Sequence, residues 1–174
     1  AEILFQQAKQ ELSLSAFPPI EIAATSKSVE ICKFLQHEWA RFGIETKIEL
    51  NQWAALKEMV ANNKVSLFRA SWVADYPDAE NYLAVFYAKN FVPNGPNYTH
   101  FSNATYDALF EQSFKEKNDS ARYHIYQQMD NIIMEEAPVV ILYYDQSVKL
   151  IQNNISGLPS NGLNILDLKR VQKN

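Results

Sequence analysis

Runs of strand character alternate with helix-period segments along most of this chain, and that alternation restricts it to layered α/β architectures. Residues 1–14 set Leu4, Phe5, Ala8 and Leu12 on one side of a helix, which Pro18-Pro19 ends. A short strand follows at Ile20–Ala24. Ser28 then stands as the N-cap of a helix carrying Val29, Cys32, Leu35, Trp39 and Phe42, with Gly43 where a C′ glycine belongs. Ile44, Thr46, Ile48 and Leu50 alternate with polar residues, the period of a half-buried strand. "QWAALKEMVANN" reads as a third helix. "VSLFRASWV" shows little alternation, which predicts a strand covered on both faces. Helices are expected over 79–88, 103–117 and 119–136, the last with Asp119 and Ser120 as its start signal. Pro138 introduces "VVILYY", a second candidate buried strand. Short strands are expected near Val148–Ile151 and Ile165–Val171.

Composition narrows the function classes. The 174 residues are 47% hydrophobic, enough apolar material for a core, and the net charge of −4 is spread without blocks. No nucleic-acid footprint or polybasic membrane patch follows from such a balance. No window holds the roughly 20 apolar residues needed to span a bilayer. Gly43, Gly95, Gly157 and Gly162 are the whole glycine supply, and they lie far apart. Phosphate loops, dinucleotide fingerprints and nucleophile elbows need closely spaced glycines, so all three are absent. The chain opens without Met inside a helix-like segment and reads as an excised piece, so its start decides nothing about export.

The chemistry-bearing residues concentrate in "LFRASWVADYPDAENYL", Leu67 to Leu83. His37, His100 and His124 are dispersed and share no metal-ligand spacing, while Cys32 sits on an apolar helix face as a small hydrophobe. Asp75, Asp78 and Glu80 form an acidic group that lacks the ligands and glycine of a calcium loop. Asp78 follows Pro77 and precedes a helix, the position of an N-cap. Asp75 stands at the exit of the expected buried strand, where open α/β sheets place ligand crevices. Eight aromatics run from Trp72 through Tyr76, Tyr82, Phe86, Tyr87, Phe91 and Tyr98 to Phe101. A carboxylate among such faces suits an ammonium group, although core packing accounts for aromatics equally well. Arg69 lies within the apolar run, and a buried guanidinium needs a partner, either a structural carboxylate or one on a ligand.

These segments taken together carry a resemblance. "RASWVADYPDAENYL", preceded by "ARFGIETKIEL" and followed by "YTHFSNATYDALFEQSF" and "DSARYHIYQQMDNIIMEEAPVVILYY", resembles the C-terminal lobe of the extracellular solute-binding proteins of family 5. This family holds the dipeptide- and oligopeptide-binding receptors of ABC importers, and the similarity covers most of residues 20–145. It implies a mixed-sheet lobe of the periplasmic-binding-protein type II fold, its sheet flanked by helices. It also implies a ligand-binding lobe over 1–145 and a tail, 146–174, that returns across the hinge to a first lobe. Without that lobe the tail is expected to pack non-natively or to swap with another copy.

Site roles follow from the same resemblance. Asp75 matches the aspartate that pairs with a peptide's α-amino group, and Ser71–Val73 match the strand lying along the peptide backbone. Trp72 matches a pocket-forming tryptophan, Arg69 an arginine that meets ligand carboxylates, and Tyr76 joins the set as the aromatic beside Asp75. Val73 departs from the residues some members carry there. The implied protein is no enzyme and needs no cofactor. It captures a peptide or related small solute and hands it to membrane permease subunits, in the periplasm or at the cell surface, with or without a lipid anchor. Two other readings stand beside it: the ligand-sensing domain of a transcriptional regulator, and a hydrolase using Asp75 with Asp78 or Glu80.

Overall fold

The computed structural model describes residues 1–144, 146, 148–161 and 165–174, and Gly162 lies outside them. It divides into two units, Ala1–Ser71 and Trp72–Asn174.

In the first unit, α1 spans Glu2–Glu11, β1 Ile20–Ala24, α2 Val29–Ala40, β2 Thr46–Leu50 and α3 Trp53–Ala61. β1 and β2 pair in parallel, from Ile20 opposite Thr46 to Ala24 opposite Leu50. Parallel strands need a crossover connection, and α2 supplies it. Ile22, Ala24 and Cys32 are buried together, with Ile31, Leu35, Trp39, Ile48 and Leu67 packed around them. Cys32 is thus a core residue, and burial pushes its thiol pKa up. Ser28 does stand at the N-cap, yet its hydroxyl donates back to the Thr25 carbonyl at 3.1 Å instead of capping the helix. At the other end of α2, Gly43 adopts φ +73°; its N–H donates to the Ala40 carbonyl and that of Ile44 to the Trp39 carbonyl. That pair of bonds is a Schellman motif, and its left-handed residue explains the glycine.

Two expectations fail here. α1 uses only Phe5 and Ala8 of its predicted face. Phe5 stacks on Phe42 with centroids 4.6 Å apart, whereas Leu4 and Leu12 are exposed. The predicted strand through "VSLFRASWV" is reduced to a single parallel bridge between Ala23 and Phe68, with the Ala23 N–H donating to the Leu67 carbonyl. Arg69 is accordingly half-buried on irregular backbone rather than enclosed in a sheet.

The second unit is helical. α4 covers only Glu80–Leu83, then two single 3₁₀ turns follow at Ala84–Phe86 and Ala88–Asn90, in place of one helix over 79–88. α5 runs Ala104–Ser113 and α6 Asp119–Glu136. Their starts are set by asparagines: Asn103 accepts from the N–H groups of Thr105 and Tyr106, and Asn118, not Asp119 or Ser120, accepts from that of Ala121. Tyr106 and Phe110 of α5 meet Ile125, Tyr126, Met129 and Ile133 of α6, with Leu83 of α4, in one core. The loop between α4 and α5 is organised on Asn97, fully buried, whose amide donates to the carbonyls of Tyr87 and Phe101.

Beyond α6 the expected strands do not form. Val139–Tyr144 and Val148–Ile151 have no ladder among the described residues. The regular structure there is a short antiparallel pair, β3 Ile155–Ser156 with β4 Gln172–Lys173, so Ile165–Val171 is not a strand either. The chain is nonetheless α/β, with a parallel and an antiparallel strand pair.

Candidate functional site

The segment Trp72–Asp78 has no regular secondary structure and enters α4 directly. Its conformation rests on one side chain that sequence reasoning missed. Asn81, on α4 and 4% exposed, accepts at Oδ1 from the Trp72 indole N–H at 2.8 Å and from the Asp75 backbone N–H at 3.3 Å. A buried amide oxygen that fills both lone pairs in this way fixes two positions three residues apart. The signal available in the sequence was weak: an asparagine inside a predicted helix, where that residue type is a poor former.

α4 is itself held at both ends. Asp78 Oδ1 accepts from the Glu80 N–H at 2.9 Å and from the Tyr126 hydroxyl at 3.2 Å, while Oδ2 receives Arg122 Nη1 at 3.0 Å. The Glu80 N–H above all, helped by Arg122, holds the Asp78 carboxyl below the usual carboxylate range. At the far end, the buried Tyr106 hydroxyl donates to the Leu83 carbonyl at 2.7 Å, and burial pushes its pKa up. Asp78 stands one residue before the N-cap, Ala79, rather than at it, yet its carboxylate still holds the first-turn N–H of Glu80 and anchors α4 to α6.

The other candidates divide. The Tyr76 hydroxyl donates to Glu80, which raises its pKa, and the Asn81 amide exerts a smaller opposing influence. Tyr76 is 44% exposed and Asp75 is exposed; among the described residues the Asp75 carboxylate takes no hydrogen bond or ion pair. Trp72 is half-buried and Val73 exposed. Arg69 and Ser71 belong to the first unit, Ser71 exposed. Asp75 does not leave a buried strand, as expected, but an irregular segment pinned at its amide.

The aromatic run also splits. Phe86, Phe101 and Tyr106 make mutual edge-to-face contacts, and Tyr87 lies on Phe110 with centroids 4.6 Å apart, which is core packing. Tyr76 and Tyr82 instead face an open concavity of about 710 Å³, lined also by Ala74, Pro77, Asp78 and Ala79 and, from the tail, by Asn161, Ile165 and Asp167. Among the described residues no three His, Cys, Asp or Glu side chains gather as a metal site, and no helix is long and apolar enough to cross a membrane.

Comparison with known proteins places this chain in a family. The dipeptide-binding protein DppE of Bacillus subtilis (strain 168) is 24% identical over 177 residues, covering 100% of this chain and 32% of DppE. The probable deoxycholate-binding periplasmic protein YgiS of Escherichia coli (strain K12) is 29% identical, over 72% of this chain and 23% of its own length. Among solved structures, the Escherichia coli murein tripeptide binding protein MppA superposes with a TM-score of 0.81 at 23% identity, over 99% of this chain and 35% of that one. The chain thus spans about a third of the length of relatives that it matches from end to end. The family model for the middle region of the bacterial extracellular solute-binding proteins, family 5, matches residues 1–94, reaching back over the first 19 residues, where the motif resemblance is weak. Matched over more than half its length, the chain belongs to the bacterial extracellular solute-binding proteins of family 5.

Proposed function

We propose that these residues are one lobe of a two-lobed substrate-binding protein that captures peptides for an ABC importer, without catalysis. The observation that carries this is the Trp72–Asp75 segment. It offers an exposed carboxylate at Asp75 and an exposed Val73, next to an exposed Ser71, in a chain whose relatives include dipeptide- and tripeptide-binding proteins. Asp75 takes the α-amino group of the ligand, Trp72 and Tyr76 contribute apolar and aromatic surface, and Ser71–Val73 add their backbone to that of the peptide. Arg69 receives a ligand carboxylate. Closure of two lobes on the solute is hinge motion biased by contacts to both. The periplasmic names of several relatives support a periplasmic or cell-surface location and delivery to a membrane permease.

Two further features support this reading, the first bearing on the lack of chemistry and the second on the other lobe. Asp78 is committed to Arg122, Tyr126 and the α4 N-terminus, and Glu80 to Tyr76, so neither is a spare acid–base partner for Asp75. In the tail, Val148 and Leu150 are 83% and 96% exposed, in keeping with a segment, 146–174, that serves the other lobe.

The test is thermal unfolding of the full-length receptor with di- to pentapeptides. Ligand at 100-fold over Kd adds about 2.7 kcal/mol, a readily measured rise in midpoint. Free-amine peptides should stabilise the wild type and not Asp75→Ala; peptides that stabilise both equally would remove Asp75 from the site.

A further inference from the structure

We propose that Asn81 is the positioning residue of the site, its side-chain oxygen clamping Trp72 and Asp75 in the geometry that receives the ligand. The inference rests on the peptide-binding reading above and adds to it the element that makes the site rigid. Between Trp72 and Tyr76 no backbone ladder or helical bond holds the chain among the described residues. Such a segment would sample many conformations, and ordering each of its residues costs backbone entropy. A binding residue on it would pay that cost when ligand arrives, which lowers affinity.

Asn81 removes that cost beforehand. Asn81 is 4% exposed and both bonds it accepts are partly buried, so water competes for them less than it would at the surface. The position of Asn81 is determined in turn by α4, fastened to α6 through Asp78 and to α5 through the Tyr106–Leu83 bond. Placement therefore passes from the helical core to α4, to Asn81, and out to Trp72 and Asp75. No step uses a residue that touches ligand until the last.

The amine-anchoring role of Asp75 supplies a readout that simple loss of stability would not move. Trialanine and N-acetyl-trialanine differ in the charged amine, so the ratio of their Kd values reports how well Asp75 is placed. The experiment is calorimetric titration of both peptides into the full-length receptor, as wild type, Asp75→Ala, Asn81→Leu, Asn81→Ser and Asp75→Ala/Asn81→Leu. Wild type should favour trialanine strongly and Asp75→Ala should not. Asn81→Leu and Asn81→Ser should cut the ratio about tenfold or more, and Asn81→Leu should change it less than about threefold when Asp75 is already alanine. Asn81 variants that fold and keep the wild-type ratio, in a receptor where Asp75→Ala loses it, overturn the inference alone. No discrimination by the wild type overturns the peptide-binding reading and this inference with it. A second measurement needs no ligand: the Trp72 indole N–H should exchange slowly with solvent in the wild type and at least about tenfold faster in the Ser variant. Equal rates refute the clamp, whatever the leucine variant does to folding.

Discussion

Asp78 performs two tasks, and two substitutions separate them. Its Oδ1 caps α4 through the Glu80 N–H, while Oδ2 pairs with Arg122. Asparagine caps a helix as well as aspartate does, so Asp78→Asn keeps the first task and gives up the charge. The paired side chains are 26% and 29% exposed, and Arg122 retains Asp119 at 3.4 Å, so no buried charge is stranded. The loss is then close to that of a partly screened, charge-assisted bond, about 1 kcal/mol. Asp78→Ala also removes the cap, worth about 1 kcal/mol more, for a total of about 2 kcal/mol. In a chain of this size each kcal/mol moves Tm by roughly 2–4 °C.

Acid provides the internal control. The Asp78 carboxyl lies below its ordinary pKa in the folded chain, so the unfolded state binds more protons in mild acid and stability rises with pH there. The contribution of the ionised carboxylate, from the Glu80 N–H first and Arg122 after it, is complete at neutral pH, above the unfolded value near 4, and is lost as pH falls through the folded value. Urea unfolding of wild type, Asp78→Asn and Asp78→Ala at pH 7 and pH 3 measures this. Wild type and Asp78→Asn should converge in acid while Asp78→Ala stays weaker. Should Asp78→Asn cost as much as Asp78→Ala at pH 7, or its deficit persist unchanged at pH 3, the division into cap and ion pair is wrong.

Other outcomes follow from single positions. Gly43→Ala should lose about 1–2 kcal/mol in urea unfolding although a Cβ there meets nothing within 4 Å, because the cost lies in φ +73° alone. Tyr106→Phe keeps the ring contacts but gives up the hydroxyl's bond to the Leu83 carbonyl, at about 1 kcal/mol by the same assay. Because burial raises the Tyr106 pKa, its native form holds a proton that the unfolded chain releases above about pH 10, so wild-type stability should fall there more steeply than that of the Phe variant. Cys32, 1% exposed with a raised pKa, should react with iodoacetamide in mass-spectrometric time courses only as fast as the first unit opens. Modification at the rate of a free thiol in the native chain would contradict its burial.

The longer helices were legible from sequence because a helix satisfies its own backbone within a few residues, whereas the helix expected over 79–88 is broken into α4 and two 3₁₀ turns. α6 occupies Asp119–Glu136 as periodicity predicts, and α2 ends at Gly43 where a left-handed residue was needed. β1 was equally plain, since turn residues bound it tightly. Strand character elsewhere misled: "VSLFRASWV" and "VVILYY" have the apolar, β-branched composition of buried strands, but a strand exists only if a partner lies beside it. Composition cannot name that partner. Only the tertiary structure decided that Phe68 makes one bridge to Ala23 and that Val139–Tyr144 makes none among the described residues. The site divides the same way. Asp75, Trp72 and Tyr76 were marked by residue type and order, and Asp78 by its place after a proline. Asn81 was not, because its importance lies in an oxygen that folding brings under Trp72 and Asp75, nine and six residues back along the chain, on a side chain largely removed from water.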